Sequence, residues 1–336
     1  MSGRIAPLER TSPVRSSPIQ RIVRRVLARA AGAAAVLFMA ATVTFFALHL
    51  MPGDIVLAIL GGPTANPTPE TIAAAVKEYG LDRPLIVQYA IYLGRLARGD
   101  LGTSFSQHMR VAMVLRTQFL PTLELAGSAL LTAWLIALTS VLCTTRRSPF
   151  LSRLGSAIET VGAALPQFWL GILLLWLFAF TLRIFPPAGS DGIASLVLPS
   201  VALAVPLAGF LAQVTREAFE LALDQPFVLS ARMRGLSDWS VRTRHVLRHA
   251  LLPGISLSAW AVGALIGNAV VIEAIFSRKG LGRQLFLAVS TQDMPLTIGI
   301  VLFVSAAYIL SGLVVDGLFG LVDPRLEQAR LEQARS

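Results

Sequence analysis

The chain has 336 residues, of which 54% are hydrophobic and 14% charged, and its formal net charge is +10. The apolar residues gather in blocks of roughly 20, the length that a helix needs to cross the hydrocarbon core of a bilayer. This pattern excludes a soluble single-domain enzyme and argues against nucleic-acid binding as the reason for the basic charge. The single cysteine, Cys143, excludes a disulfide framework and a cysteine-based metal cluster.

The chain begins with a basic segment. Residues 1–20 are rich in Arg, Ser and Pro, which predicts a disordered cytoplasmic tail. In residues 21–30 apolar side chains recur at helical spacing and arginines occupy the remaining face, which predicts an interfacial helix on anionic membrane lipid. This helix leads into the first predicted span, Ala31–Leu50, which carries no charge.

Residues 51–120 are predicted to form a small, mostly helical cap on the external, periplasmic side of the membrane. Thr68 is a candidate N-cap with Pro69 at the first helical position, and this helix should end at Gly80. A second apolar-periodic stretch, residues 85–96, should end at Gly99.

Five further apolar blocks predict an all-α polytopic membrane protein with six transmembrane helices. The six blocks are residues 31–50, 121–143, 155–182, 196–214, 253–275 and 297–320. Of the 29 Lys and Arg residues, 19 fall in the two terminal segments and in the segments 144–154 and 215–252. Because basic residues favour the cytoplasmic side, both termini are predicted to be cytoplasmic.

The cytoplasmic segment 215–252 is longer than a connection between two spans requires. Gly235 interrupts an arginine-rich run, Ser237 and Asp238 follow as a candidate helix cap, and residues 241–252 read as a basic helix. Two helices with a break between them have a shape that could dock into a groove of another protein. A solvated connection is the alternative.

The sequence lacks the common catalytic motifs. The sequence has no phosphate-binding loop motif, no zinc-protease motif and no serine-hydrolase motif, which argues against an ATPase or hydrolase; an unfamiliar intramembrane enzyme stays open. His245 and His249 are spaced for metal chelation, but neighbouring arginines favour an ordinary surface pair. No metal or cofactor is expected.

The positions of carboxylates within the apolar blocks indicate whether the protein could couple transport to an ion. Charged side chains inside lipid are costly and are usually functional. All four lie near the ends of their spans, where helix-end pairing or gate lining is expected: Glu124, Glu159, Glu273 and Asp316. An ion-coupled secondary transporter, the alternative function, should carry one near the midplane. Asn268 lies inside a span beside a Gly-x-x-x-Gly spacing, which fits either helix packing or a polar path.

An ordered series of short motifs carries a family resemblance. The motifs are His49–Asp54 (HLMPGD), Tyr79–Leu85 (YGLDRPL), Arg98–Phe105 (RGDLGTSF), Pro121–Leu125 (PTLEL), Leu165–Gly171 (LPQFWLG), Leu198-Pro199, Ala231–Ser237 (ARMRGLS), Arg244-His245, Leu252-Pro253, Glu273, Gly280–Gly282 (GLG) and Asp323–Arg325 (DPR). In this order and spacing the chain resembles the permease subunits of bacterial ABC importers of the peptide/nickel type, over about residues 20–326.

The resemblance implies a type I importer-like permease with a core over residues 121–320 and a cytoplasmic tail over 321–336. It implies a multi-pass protein of the bacterial inner membrane with several partners: a second homologous permease, two cytoplasmic ABC ATPase subunits, which would hydrolyse the ATP, and an external substrate-binding protein. The cargo would be a peptide or a related small solute, with a nickel complex among the alternatives.

The resemblance also implies roles for individual residues. The stretch 227–238 resembles the helix that couples such permeases to their ATPases. Its expected coupling residues are Phe227, Ala231, Arg232, Gly235, Leu236 and Asp238, with small Ala231 and Gly235 allowing close approach and Leu236 as an apolar anchor. The expected path residues are Gln167, Asn268 and Glu273. The chain departs from the family at Leu229-Ser230-Ala231, where the wider importer class has Glu-Ala-Ala, and at His249, where Asn is expected.

Overall fold

The computed structural model describes residues 18–51, 55–60 and 67–322. Within these ranges the regular structure is helical, without a strand; Thr103 and Arg110 form an isolated antiparallel bridge. The helices are α1 (Pro18–Leu50), α2 (Ile55–Ile59), α3 (Pro69–Tyr79), α4 (Leu85–Ala97), α5 (Val111–Thr144), α6 (Pro149–Ala164), α7 (Gln167–Leu174), α8 (Ala194–Leu223), α9 (Pro226–Met233), α10 (Asp238–Ser240), α11 (Leu247–Ile275), α12 (Leu281–Ser290) and α13 (Met294–Val322). Two π-helical segments, Leu175–Thr181 and Val241–Val246, continue α7 and lead into α11.

The predicted all-α fold is confirmed. Among the described residues, four helices are long and apolar enough to cross a membrane, and the number rises to six if each of two bent helix pairs forms one span. The predicted third span is bent by 100° between α6 and α7. The bend lies at Leu165 and Pro166, where proline disfavours helical geometry in the residue before it.

The N-terminal region forms one continuous helix. The sequence predicts an interfacial helix over residues 21–30 and a span from residue 31, but α1 runs from Pro18 to Leu50 without a break. No helix-breaking residue separates the two parts, so the helix continues through the arginines. Residues 1–17 and 323–336, which hold most of the two predicted tails, lie outside the described residues.

The centre of the bundle is formed by α5, α8 and α11. Their buried residues are mostly alanines and leucines, which let the helices approach closely. A Cβ on Gly209 of α8 would overlap backbone atoms of Glu159 and Ala163 in α6, so glycine is required where these helices cross. Helix α1 lies at the periphery and contacts α13.

Two central helices extend beyond their predicted spans. Helix α5 begins at Val111, ten residues before the predicted start at Pro121, and α8 continues nine residues past Val214. A hydropathy pattern predicts only the apolar part of a helix. The helix can continue beyond that part where its polar side chains have hydrogen-bond or ion-pair partners. In α8 the guanidinium of Arg216 donates to Glu159 Oε2 over 2.7 Å and to Oε1 over 2.5 Å, so the charge is neutralised inside the bundle.

Both predicted ends of α3 and the predicted start of α4 are confirmed, whereas α4 ends two residues before the predicted Gly99. Thr68 Oγ1 accepts a hydrogen bond from the Thr71 amide at the start of α3, and Gly80 ends the helix with φ +66°. Helix α4 begins at Leu85, as predicted, and ends at Ala97. In the second half of the chain, α12 follows α11 and packs on α5 and α13.

Candidate coupling surface and translocation path

The predicted coupling segment is a short helix, a glycine turn and a capped helix start. Helix α9 ends at Met233, and Gly235 follows with φ +79°, a conformation that side-chain-bearing residues rarely adopt. Ser237 Oγ then accepts a hydrogen bond from the Ser240 amide, which confirms the predicted cap of α10. The break therefore has a fixed geometry.

One face of α9 packs on its own chain. Ala231 is 1% exposed and, with Val228, belongs to the apolar core formed by α5, α8 and α11, and the Phe227 ring lies 5.0 Å from the ring of His249. Ala231 therefore packs against its own chain in this structure, and its predicted role in coupling stays a prediction. Its small side chain lets α9 approach the helix bundle closely.

The opposite face of the segment is apolar and uncovered. Met233 is 80% exposed and Leu229 64%, and Leu236 and Trp239 are also exposed. Of these four, only Leu236 was predicted from the sequence. The i, i+4 spacing of Leu229 and Met233, on the side away from Val228, was the signal that could have identified them.

Asp238 joins three arginines around this segment. It accepts hydrogen bonds from Arg242 (2.7 Å), Arg147 (2.9 Å) and Arg232 (3.3 Å). Desolvation raises the pKa of Asp238, but the hydrogen bond from Arg242 and the positive charges of the three arginines outweigh it, so the pKa lies below its usual value. The carboxylate is therefore ionised at neutral pH.

Arg242 anchors the segment to the end of α5. Its side chain is 3% exposed, and its Nη1 donates to the Thr145 carbonyl oxygen over 2.8 Å. A second donor, Nη2, lies 3.3 Å from the carbonyl oxygen of Arg146. These carbonyls follow the C-terminus of α5, where a cation is favoured by the helix dipole.

Glu273, at the end of α11, is completely buried and holds the start of α12. Its Oε1 accepts from Thr122 Oγ1 over 2.7 Å, and its Oε2 accepts from the amide of Gly282 over 2.7 Å. Thr122 in turn accepts from the Leu281 amide over 2.9 Å. In this conformation the carboxylate faces α12 and α5, with no exposed surface towards an open path.

The two glycines of the Gly-Leu-Gly motif make this contact possible. A Cβ on Gly280, whose φ is +156°, would overlap the carboxyl group of Glu273. A Cβ on Gly282 would overlap the backbone of Val270 in α11. The motif therefore allows the start of α12 to lie directly against α11 around the buried carboxylate.

Asp293 is a third buried carboxylate, beside Glu159 and Glu273, and it is not among the residues selected from the sequence. Its Oδ2 accepts from Ser104 Oγ (2.5 Å), Ser106 Oγ (2.8 Å) and the Ser106 amide (2.9 Å). Its Oδ1 accepts from the Leu296 amide at the start of α13. Asp293 thus connects the Arg98–Phe105 motif to the start of α13. The sequence contained a sign of this role, because an Asp followed by Met-Pro and an apolar run is typical of a helix N-cap.

The remaining predicted path residues lie on accessible surfaces. Asn268 is exposed beside Gly267 on a face of α11 that also carries Trp260 and Val271. A Cβ on Gly263 would overlap Ser311 Oγ of α13, so this glycine serves helix packing, whereas Gly267 has open space around it. Gln167, half-buried, begins α7 directly after the bend.

The remaining residues selected from the sequence are two carboxylates of the predicted spans, Glu124 and Asp316, and the histidines. Glu124 is exposed and lies 3.7 Å from Arg278, while the side chain of Asp316 lies outside the described residues. No group of three or more metal-ligating side chains occurs in the part of the chain that the structure describes. His249 contacts the Phe227 ring, as described above.

Comparison with known families identifies the chain. Residues 129–328 match the family described as binding-protein-dependent transport system inner membrane component, and residues 22–126 match the N-terminal part of the membrane component of such systems. The chain belongs to this family. It is a permease of the peptide/nickel type of ABC importer and a multi-pass protein of the inner membrane, as the resemblance implied.

Relatives support the same assignment. The permease is 33% identical over 302 residues to the glutathione transport system permease protein GsiC of Salmonella typhimurium, which covers 90% of this chain and 98% of the relative. It is 34% identical over 310 residues to a putative peptide transport system permease protein of Brucella abortus, with coverage of 90% and 98%.

A solved structure supports the fold. An inward-facing structure of the MetNI methionine ABC transporter has a TM-score of 0.51 at 20% identity, and covers 63% of this chain and 97% of that chain. This likeness confirms the predicted type I importer-like fold.

The Glu273 contact generates a test. In Glu273→Gln one acceptor oxygen becomes an amide NH₂, which would face either the backbone donors of Gly282 and Arg283 or the donating Thr122 hydroxyl, so we expect a loss of about 1–3 kcal/mol in the free energy of unfolding. Unfolding in mixed micelles measures it. Glu124→Gln, at an exposed carboxylate, is the control and should change little; equal effects of the two substitutions would contradict the capping role.

Proposed function

We propose that this permease forms half of a translocation path together with a second homologous permease, and that two cytoplasmic ATPase subunits drive it. An external substrate-binding protein would deliver the cargo. The chain itself performs no covalent chemistry in this proposal. Family membership supports these partners, since binding-protein-dependent systems require a binding component beside the membrane component.

The uncovered face of Leu229, Met233, Leu236 and Trp239 is the observation that carries the proposal, and we call it the outer coupling face. These side chains project from a segment whose other face is fixed to the bundle by Ala231, Val228 and Arg242. An apolar surface that presents few anchors on a rigid support is typical of a helix that docks in a partner's groove. We assign the ATPase as its partner.

The predicted coupling residues divide into two groups in this proposal. Ala231, Phe227 and Asp238 position the segment, and Gly235 gives the turn its conformation. Leu236 and Arg232 are exposed and contribute to the docking surface. Force applied to the outer coupling face would reach α5 through Arg242 and Asp238.

The proposed cargo is a peptide or a related small solute. Support comes from the relatives, whose names specify glutathione and peptide transport. Asn268 and Gln167 are proposed to line the path, because both side chains are accessible. Asn268 lies next to Gly267, which has open space around it, and Gln167 lies next to the bend between α6 and α7. In this conformation Glu273 positions α12, and it would reach a path only after that contact opens.

A charge on the outer coupling face tests the function. We expect Met233→Asp to insert normally but to weaken the complex with the co-expressed ATPase by about 2 kcal/mol, roughly 30-fold, because an apolar anchor is replaced by a charge. Affinity capture and cargo uptake measure the effect. Arg153→Gln, which makes the same charge change at an exposed position of α6, is the control. Normal assembly of Met233→Asp would refute the proposed surface.

The proposed orientation places both termini and the coupling segment in the cytoplasm. Topology reporters fused near residues 70 and 235 should therefore report opposite sides of the membrane, external at 70 and cytoplasmic at 235. The reason is the concentration of Lys and Arg in the cytoplasmic segments. An external signal at 235 would overturn the orientation.

A further inference from the structure

Helix α4 has an apolar face that no described part of the chain covers. None of its residues is buried, and Ile86 is 67% exposed, with Leu85, Val87 and Ile91 also exposed. Two arginines, Arg95 and Arg98, adjoin this face at its C-terminal end. A helix with one apolar face and basic residues beside it is typical of the membrane interface.

The other face of α4 fixes its position relative to the membrane-spanning part of α1. Tyr89 Oη lies 2.6 Å from Thr42 Oγ1, and the ring of Tyr92 stacks on Phe45 at 5.6 Å. Thr42 is eight residues before Leu50, about 12 Å from the helix end at 1.5 Å per residue. Because residues 31–50 are needed to cross about 30 Å of hydrocarbon, α4 contacts α1 below the level at which the span ends.

A basic cavity of about 210 Å³ lies beside α4. The cations at its wall are Lys77, Arg83 and Arg95, and Asp100 is the acidic residue in the lining. Ile91 and Arg95 belong both to this cavity and to the uncovered face of α4. The cavity and the apolar face therefore adjoin each other.

Two polar atoms in the cavity lining have no partner among the described residues. His49 Nδ1 donates to the Phe45 carbonyl oxygen over 2.9 Å, while His49 Nε2 is buried without a hydrogen bond. Tyr92 Oη is likewise buried and unpaired. Because Nδ1 donates, Nε2 of a neutral imidazole is an acceptor, so of the two atoms the Tyr92 hydroxyl is the one that could donate to a ligand oxygen. A buried hydroxyl without a partner is costly, so such a ligand would be stabilised here.

We propose that α4 lies within the leaflet at the Leu50 end of α1, and that the adjoining cavity binds the phosphate group of a phospholipid from that leaflet. The acyl chains cover Ile86 and its neighbours, and the phosphate contacts Lys77, Arg83 and Arg95. Tyr92 supplies a hydrogen-bond donor. Helix α4, which belongs to the predicted cap of residues 51–120, is then an element of the membrane interface. This holds on whichever side of the membrane the cap lies.

Spin labels measure the depth of α4. In a Cys143→Ser background assembled in phospholipid nanodiscs, a label at Ile86→Cys should show the oxygen accessibility typical of the bilayer. Its reference is a label at Val43→Cys on the exposed face of α1, and Glu70→Cys on α3 is the aqueous control. Accessibility at Ile86 equal to that at Glu70 would overturn the placement of α4.

Lipid retention tests the cavity. Phosphatidylglycerol binding, measured by native mass spectrometry after detergent exchange, should weaken about fivefold in Arg95→Gln, with Arg95→Lys retaining binding. Arg116→Gln, at an exposed arginine of α5 outside the cavity, is the control. Unchanged lipid binding in Arg95→Gln would refute the cavity as the phosphate site.

Inorganic phosphate distinguishes a lipid from a soluble anion. Competition by inorganic phosphate, combined with an aqueous label at Ile86, would assign the cavity to a soluble anion and overturn the lipid proposal. Cargo uptake is measured in parallel, since the lipid site and the transport function can fail independently.

Discussion

A carboxylate buried among transmembrane helices must be paired, because no water is available there to stabilise its charge. This constraint organises the permease. Glu159 is paired with Arg216 between α6 and α8, Glu273 accepts from α5 and the start of α12, and Asp293 accepts from the Arg98–Phe105 motif at the start of α13. Each carboxylate thus joins different helices or motifs with directional hydrogen bonds, whereas the apolar contacts between helices are weakly directional in lipid.

The pairing also connects the membrane helices to the coupling segment. Arg216 donates to Thr145 Oγ1 over 3.0 Å, and Arg242 donates to the carbonyl oxygen of the same threonine over 2.8 Å. Thr145 therefore contacts both the buried ion pair and the anchor of the segment that begins with α9. A displacement of the outer coupling face would act on the end of α5 through these short contacts. This arrangement gives the proposed coupling a defined physical route.

Sequence reasoning could predict the parts of this structure that depend on local chemistry. Apolar blocks of membrane-spanning length gave the spans, and Thr68, Gly80 and Ser237 gave helix ends that the structure confirms. The Gly-Leu-Gly motif was recognised, but its purpose was not, because the contact of Gly280 with Glu273 exists only in three dimensions. The same holds for Asp293, whose partners lie almost 190 residues earlier. Which side of α9 faces outward also depends on packing, so exposed Met233 was missed and the burial of Ala231 was not foreseen.

The ion pair of Glu159 and Arg216 tests the central claim most directly. A double-mutant cycle with Glu159→Gln and Arg216→Gln, with unfolding measured in mixed micelles, isolates the interaction between the two side chains. The account predicts that each single substitution costs about 3–5 kcal/mol by leaving a buried charge unpaired, and that the double variant loses much less than the sum. Small, additive effects of the two substitutions would contradict the claim that paired carboxylates hold this permease together.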